Sequence, residues 1–284
     1  MYGLEPEASL AHIDWVLLFG VCMSGLSLWA LLKWCLPQNN PLKVIWEVVR
    51  ANAARTASLF YVLTISGIIF LDILETKYDA AITRYLNWDF TGLFLRVEGS
   101  ATALFQIVHF TALTYALSAI YLYIFPVMGV VAILVAYRDG EHKVARKIFW
   151  GAVFNYLFIL PFYVLVPVTE RWAAGDGEVT LLMNQISPLL IEGLRPMSGL
   201  NNCFPSFHVS LSLTFALLIS ESSNLRLRRT MLALAGLVTY STLYLGFHWA
   251  LDVFGGVLFA AFCTVIANWA VENLRLEQVL YRAR

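Results

Sequence analysis

Charge is excluded from long stretches of this chain and gathered into short segments between them. The longest such stretch, Ser100 to Tyr137, contains no Asp, Glu, Lys or Arg. As one α-helix it measures roughly 55 Å, against a bilayer hydrocarbon core of about 30 Å. Further apolar runs cover Val16–Leu32, Ala57–Leu71, Ile148–Val168, Val209–Ile219, Met231–Tyr244 and Trp249–Val271. Only 13% of the residues are charged and 60% are hydrophobic, where a soluble domain carries about 25% charged residues. The pattern predicts an all-α polytopic transmembrane helix bundle. Net charge is zero, so no global field favours nucleic acid as a partner.

The connections refine this picture. Trp15 and Trp34 flank the first run as interfacial anchors. Pro37–Arg55 reads as a polar, basic connection. Thr76–Ser100 mixes Trp88, Phe90, Phe94 and Leu95 with Asp89, Arg96 and Glu98, as a helix lying in the interface would. Gln106 and His109 place the first third of Ser100–Tyr137 in the interface too. The span proper then starts near Phe110 and kinks at Pro126. Seven spans put most of the 19 Lys and Arg on the cytoplasmic side, as the positive-inside rule requires. Dividing Ser100–Tyr137 into two spans changes that balance little. The acidic N-terminus and the lack of a polar turn near residue 119 favour seven. That N-terminus also lacks the basic start of a cleavable signal peptide. Loop 169–205 is exoplasmic under either count. Cysteines 22, 35, 203 and 263 have no metal-type spacing, and a disulfide framework is not expected.

Two stretches carry chemistry. Asn201-Asn202-Cys203-Phe204-Pro205-Ser206-Phe207-His208 opens the fifth run, and Ser241 to Asp252 joins the sixth to the seventh. One span leads inward from His208 and the next leads back to His248, so both histidines meet at one membrane face. A helix sets His248 and Asp252 one turn apart on one side. A carboxylate on one imidazole nitrogen fixes the tautomer and makes the other nitrogen more nucleophilic. Pro205 and Ser206 at a helix start leave backbone N–H groups for a phosphate.

Pro205-Ser206-x-His208 and Ser241-x6-His248-x3-Asp252 resemble the second and third signatures of the type 2 phosphatidic acid phosphatase superfamily, which also contains vanadium haloperoxidases. The resemblance spans roughly residues 110–270. It implies a six-helix phosphatase core with one extra N-terminal span, dividing the chain into 1–56, a core at 57–273 and a cytoplasmic tail at 274–284. It implies a reaction without metal or other cofactor, in which His248 attacks phosphorus and Asp252 orients it. His208 protonates the leaving oxygen, and a phosphohistidine passes its phosphoryl group to water or an alcohol. Ser206, Arg195 and Gly246 are the implied phosphate contacts. Two departures stand out. The first signature keeps Arg195-Pro196 but has Pro188 where the family has lysine, and Thr242 replaces the usual arginine. Arg195, or another cation such as Arg171, must then do more. The Ser-Thr form of the third signature is most similar to the inositol phosphorylceramide synthase branch, whose members are phosphotransferases.

Three functions follow from these residues. The first is a hydrolase of glycerolipid or isoprenoid phosphates in a plasma or cytoplasmic membrane, with an exoplasmic active site. The second is a phosphotransferase passing a head group such as phosphoinositol to an alcohol, polyol or lipid acceptor. The third is a transporter with His and Asp as a proton relay, which the Pro-Ser-x-His stretch disfavours. His-x3-Asp with a remote His also suits a metal, although no further ligand stands at metal spacing. The plainer readings are interfacial His12, His109 and His142, solvated Asp72, Asp89 and Glu98, and helix packing at Gly255-Gly256. Asn155 either packs helices or lines the cavity.

Overall fold

The computed structural model describes residues 6–53, 56–186 and 199–273. Helices α1 (Pro6–Cys35), α2 (Pro41–Ala53), α3 (Thr56–Leu86) and α4 (Thr91–Glu98) come first. A 3-10 segment, Ala101–Gln106, leads to a continuous rod made of α5 (Thr111–Ala119), a π-helical stretch (Ile120–Ile124) and α6 (Phe125–Arg138). Then follow α7 (His142–Leu165), α8 (Phe207–Ile219), α9 (Leu225–Tyr244) and α10 (Ala250–Asn273). Among the described residues the only β pairing is an isolated parallel bridge between Val168 and Asn202. The chain is thus an all-α membrane bundle. Among the described residues four segments are long and apolar enough to cross a bilayer: Leu18–Cys35, Thr111–Arg138, His142–Leu165 and Ala250–Asn273.

α8 is the axis of the bundle. It packs against α6, α7, α9 and α10. Its 13 residues span only about 20 Å, less than a bilayer core. They are apolar nearly all round because protein, not lipid, surrounds them. Close approach depends on small residues. A Cβ on Gly151 of α7 would lie 2.7 Å from Leu218, and one on Gly256 of α10 would lie 2.8 Å from the Ser206 carbonyl oxygen. Asn155 is a packing residue. Its amide donates to Thr214 Oγ1 at 3.0 Å and to Gly151 O at 2.8 Å, and its oxygen accepts from Ser210. Three buried polar side chains thereby satisfy one another between α7 and α8.

The structure alters two sequence expectations. The stretch at Pro37–Arg55 is not a simple connection but contains α2, with Asn40 Oδ1 accepting the Leu42 N–H at 3.0 Å and Pro41 at the first helical position. Leu42, Trp46 and Val49 form an exposed apolar stripe, as on a helix resting at a membrane surface. The second apolar run does not end at Leu71 but continues as α3 to Leu86. No Gly or Pro intervenes between Leu71 and Leu86, and the helix stops where Asn87 adopts φ 51°. Only α4 and the 3-10 segment remain for the interface, with Leu93, Val97, Leu104, Ile107 and Val108 exposed.

The two ends of the bundle differ in chemistry. At one end Lys147 pairs with Glu221 at 2.7 Å, Lys143 pairs with Glu272 at 3.1 Å, and Arg226 donates to Trp34 O. At the other end the segment after α7 is stitched to the candidate site. Val168 N–H donates to Asn201 O and Glu170 N–H to Leu200 O. Arg171 N–H donates to Phe247 O and Trp172 N–H to Gly246 O.

Candidate active site

His208 stands one residue inside α8 and His248 two residues before α10. Their rings are 6.0 Å apart between centroids, although 40 positions separate them in sequence. His248 Nδ1 lies 3.1 Å from Asp252 Oδ2. The same oxygen accepts the Trp249 N–H at 2.9 Å, closing the first turn of α10 as the third-position acid of a capping box does. Asp252 is fully buried and His248 nearly so. With Nδ1 as donor to the carboxylate, Nε2 keeps its lone pair.

Glu98 belongs to this arrangement and is not a solvated charge. Its Oε2 accepts the Leu251 N–H at 3.0 Å, and Oε1 accepts from Thr102. A carboxylate at the end of α4 therefore caps the helix that carries Asp252. Glu98→Ala is expected to cost about 1 kcal/mol of stability and to lower turnover by loosening Asp252. Glu98→Gln, which retains an acceptor, should recover most of both. Thermal melts and rates on the two detergent-purified variants check this, and equal losses in both would remove the capping role.

His208 is gripped by aromatic rings. Tyr121 stacks on it at 4.1 Å and 19°, with its hydroxyl 3.4 Å from His208 Nδ1, and Phe125 lies 4.5 Å away. Phe247 stacks on the other face of Tyr121 at 4.9 Å. Tyr121 sits in the π-helical stretch, a wider winding that often marks functional positions. The wider turn lies immediately before Pro126, where the sequence suggests a kink. Nothing in the sequence near Tyr121 announces its contact with His208.

The expected phosphate contacts fare differently. Ser206 is buried, caps α8 by accepting the Val209 N–H at 3.5 Å, and donates its own N–H to Asp252 O at 3.1 Å. Gly246 has φ +90°, and a Cβ there would collide with Thr180 O. Its N–H donates to Leu243 O, so its part is conformational: it turns the chain sharply enough to present His248. Arg195 lies outside the described residues. Arg171 is buried, with its guanidinium 4.6 Å over the Trp249 ring and paired to Asp176 at 2.7 Å and Glu178 at 3.3 Å. The hydrogen bond from Arg171 holds the Asp176 carboxyl below the usual range. Arg171 thus clamps the loop onto the turn that carries His248. Cys203 completes the surroundings, donating from Sγ to Phe247 O at 3.4 Å.

The model of the PAP2 superfamily matches residues 91–266. No curated protein and no solved structure matches the chain.

Proposed function

The chain belongs to the PAP2 superfamily, and we propose from this and from the site that it is a membrane phosphohydrolase of lipid phosphates working through a phosphohistidine. The observation that carries this reading is the buried His248–Asp252 pair with a second histidine ring 6.0 Å away. His248 Nε2 attacks phosphorus while Asp252 keeps the Nδ1 proton and stabilises the imidazolium character that develops. His208 gives a proton to the leaving oxygen and later takes one from water. The reacting groups come from the chain itself. A glycerolipid or isoprenoid phosphate fits the setting, because the exposed apolar surface of α4 and Leu104–Val108 flanks the same end of the bundle. The basic turns at the opposite end support, through the positive-inside rule, an active site on the exoplasmic side, in a plasma or cytoplasmic membrane.

The test is phosphate release by detergent-purified protein from a panel of lipid phosphates. Release with water alone is the expected result. Release only when an alcohol or polyol acceptor is added would replace the hydrolase by the phosphotransferase of the inositol phosphorylceramide synthase type. No release under either condition would leave the transporter reading. Orthovanadate is expected to inhibit, since on His248 it reproduces the trigonal bipyramidal geometry of the transferring phosphoryl group. EDTA is expected to leave the rate unchanged, and loss restored by zinc would overturn the metal-free mechanism.

A further inference from the structure

Cys203 comes from the segment before α8 and His248 and Asp252 from the start of α10, yet one ligand atom from each lies within 4.8 Å of the others. All three residues are buried. Asp252 Oδ2 serves His248 and Trp249, but Oδ1 is buried and accepts no hydrogen bond among the described residues. A buried carboxylate oxygen without a donor is costly, and a bound cation would satisfy it. We propose that these three side chains form an inhibitory site for a thiophilic divalent cation of the zinc or cadmium class.

The chemistry of the donors fits such an ion. A thiolate, an imidazole nitrogen and a carboxylate oxygen are the usual ligands of tetrahedral zinc, at about 2.0–2.3 Å. Ligands at those distances stand about 3.6 Å apart in a tetrahedron, so atoms at the outer limit of the cluster need to draw in by about an ångström. Thiolate and carboxylate together offset the two positive charges, which makes the loaded site neutral in a buried setting. The thiol proton leaves to solvent on binding. Sulfur sets the preference: a site with a thiolate selects zinc or cadmium over magnesium or calcium.

Binding disables the nucleophile through its tautomer. Coordination at His248 Nδ1 replaces the proton that faces Asp252, and a neutral imidazole then carries its proton on Nε2. Nε2 is the atom that attacks phosphorus, and once protonated it has no lone pair to offer. Coordination at Nε2 instead would occupy the nucleophile directly. In both arrangements Asp252 is also withdrawn from its orienting task. The inhibition arm rests on the proposed phosphatase reading, whereas the binding arm does not.

The experiment uses the full chain in detergent, stripped of metal. Cadmium is titrated while the ultraviolet cadmium–thiolate charge-transfer band is followed, and zinc displacement gives its affinity. One cation per chain is expected, with the band lost in Cys203→Ser and affinity at least tenfold weaker in Asp252→Asn. Because Cys22, Cys35 and Cys263 carry thiols outside any disulfide too, a band that survives Cys203→Ser overturns the site. If Cys203→Ser does not fold, Cys203→Ala and Asp252→Asn supply the same comparison. In the activity arm, zinc should inhibit the wild type, while whatever rate Cys203→Ser retains should be insensitive to zinc. Saturating cadmium bound at Cys203 without loss of rate would overturn the inhibitory role. Absence of activity on every lipid phosphate would count against the phosphatase reading and leave the binding result to decide the site.

Discussion

His248→Ala is expected to lower turnover at least a thousandfold while the protein stays folded. Under the proposed mechanism the substitution removes the atom that would form the bond to phosphorus, and nothing nearby can take over. His208 stands with its ring 6.0 Å from that of His248 and, held by Tyr121 and Phe125, cannot move into its place. A nucleophile knockout forfeits the covalent route as a whole, whereas binding groups are untouched. Folding should survive because the backbone of the turn is held independently. The His248 N–H donates to Thr242 O, and the neighbouring Phe247 O accepts from Arg171 N–H. Rates on a lipid phosphate, alongside a thermal melt, check this. Residual activity above a few per cent in a folded variant would remove His248 from the nucleophile role.

The second large effect depends on the leaving group. His208→Ala should slow phosphoenzyme formation from a lipid phosphate about 100- to 10,000-fold, the usual contribution of a placed general acid. An alkoxide needs a proton to depart. A nitrophenolate does not, so with an aryl phosphate that the site accepts, phosphoenzyme should form at nearly the normal rate. It should then persist, because attacking water still lacks its base. His248→Ala should form no phosphoenzyme from either compound. Single-turnover labelling of both variants with both substrates gives the answer. Equal losses on the two substrates would make His208 a phosphate ligand or a structural residue, and not a proton carrier.

The sequence made the bundle legible because charge is intolerable in hydrocarbon and its absence leaves a visible mark. The single rod from Thr111 to Arg138 starts where Gln106 and His109 cease to interrupt it. The continuation of α3 beyond Leu71 was not legible. Asp72, Glu75 and Lys77 resemble a connection, but charges do not end a helix that extends past the apolar layer. The meeting of His208, His248 and Asp252 could be read because order and topology suffice to bring two helix starts to one face. Glu98 could not be read in that way. Its partner Leu251 is 153 positions away, and a lone carboxylate in a mixed segment has the same local pattern whether solvated or capping. Tyr121, 87 positions from His208, and Cys203 were hidden for the same reason. Arg171 is recognisable as a cation, but its clamp on the loop through Asp176 and Glu178 depends on a turn through Gly175 and Gly177, both at positive φ.

The hydrogen bond from Ser206 N–H to Asp252 O joins the start of α8 to the first turn of α10 through backbone atoms alone. Side chains at 206 and 252 can drift over evolutionary time without breaking it, and at 206 only proline lacks the required N–H. The helix that carries His208 and the helix that follows His248 are therefore joined at their starts by a contact that side-chain substitution leaves in place. Under the proposed mechanism, the groups that choose head group and acceptor are the ones around the two histidines, and they can change while this contact stays. The spacing between them is inherited with the main chain.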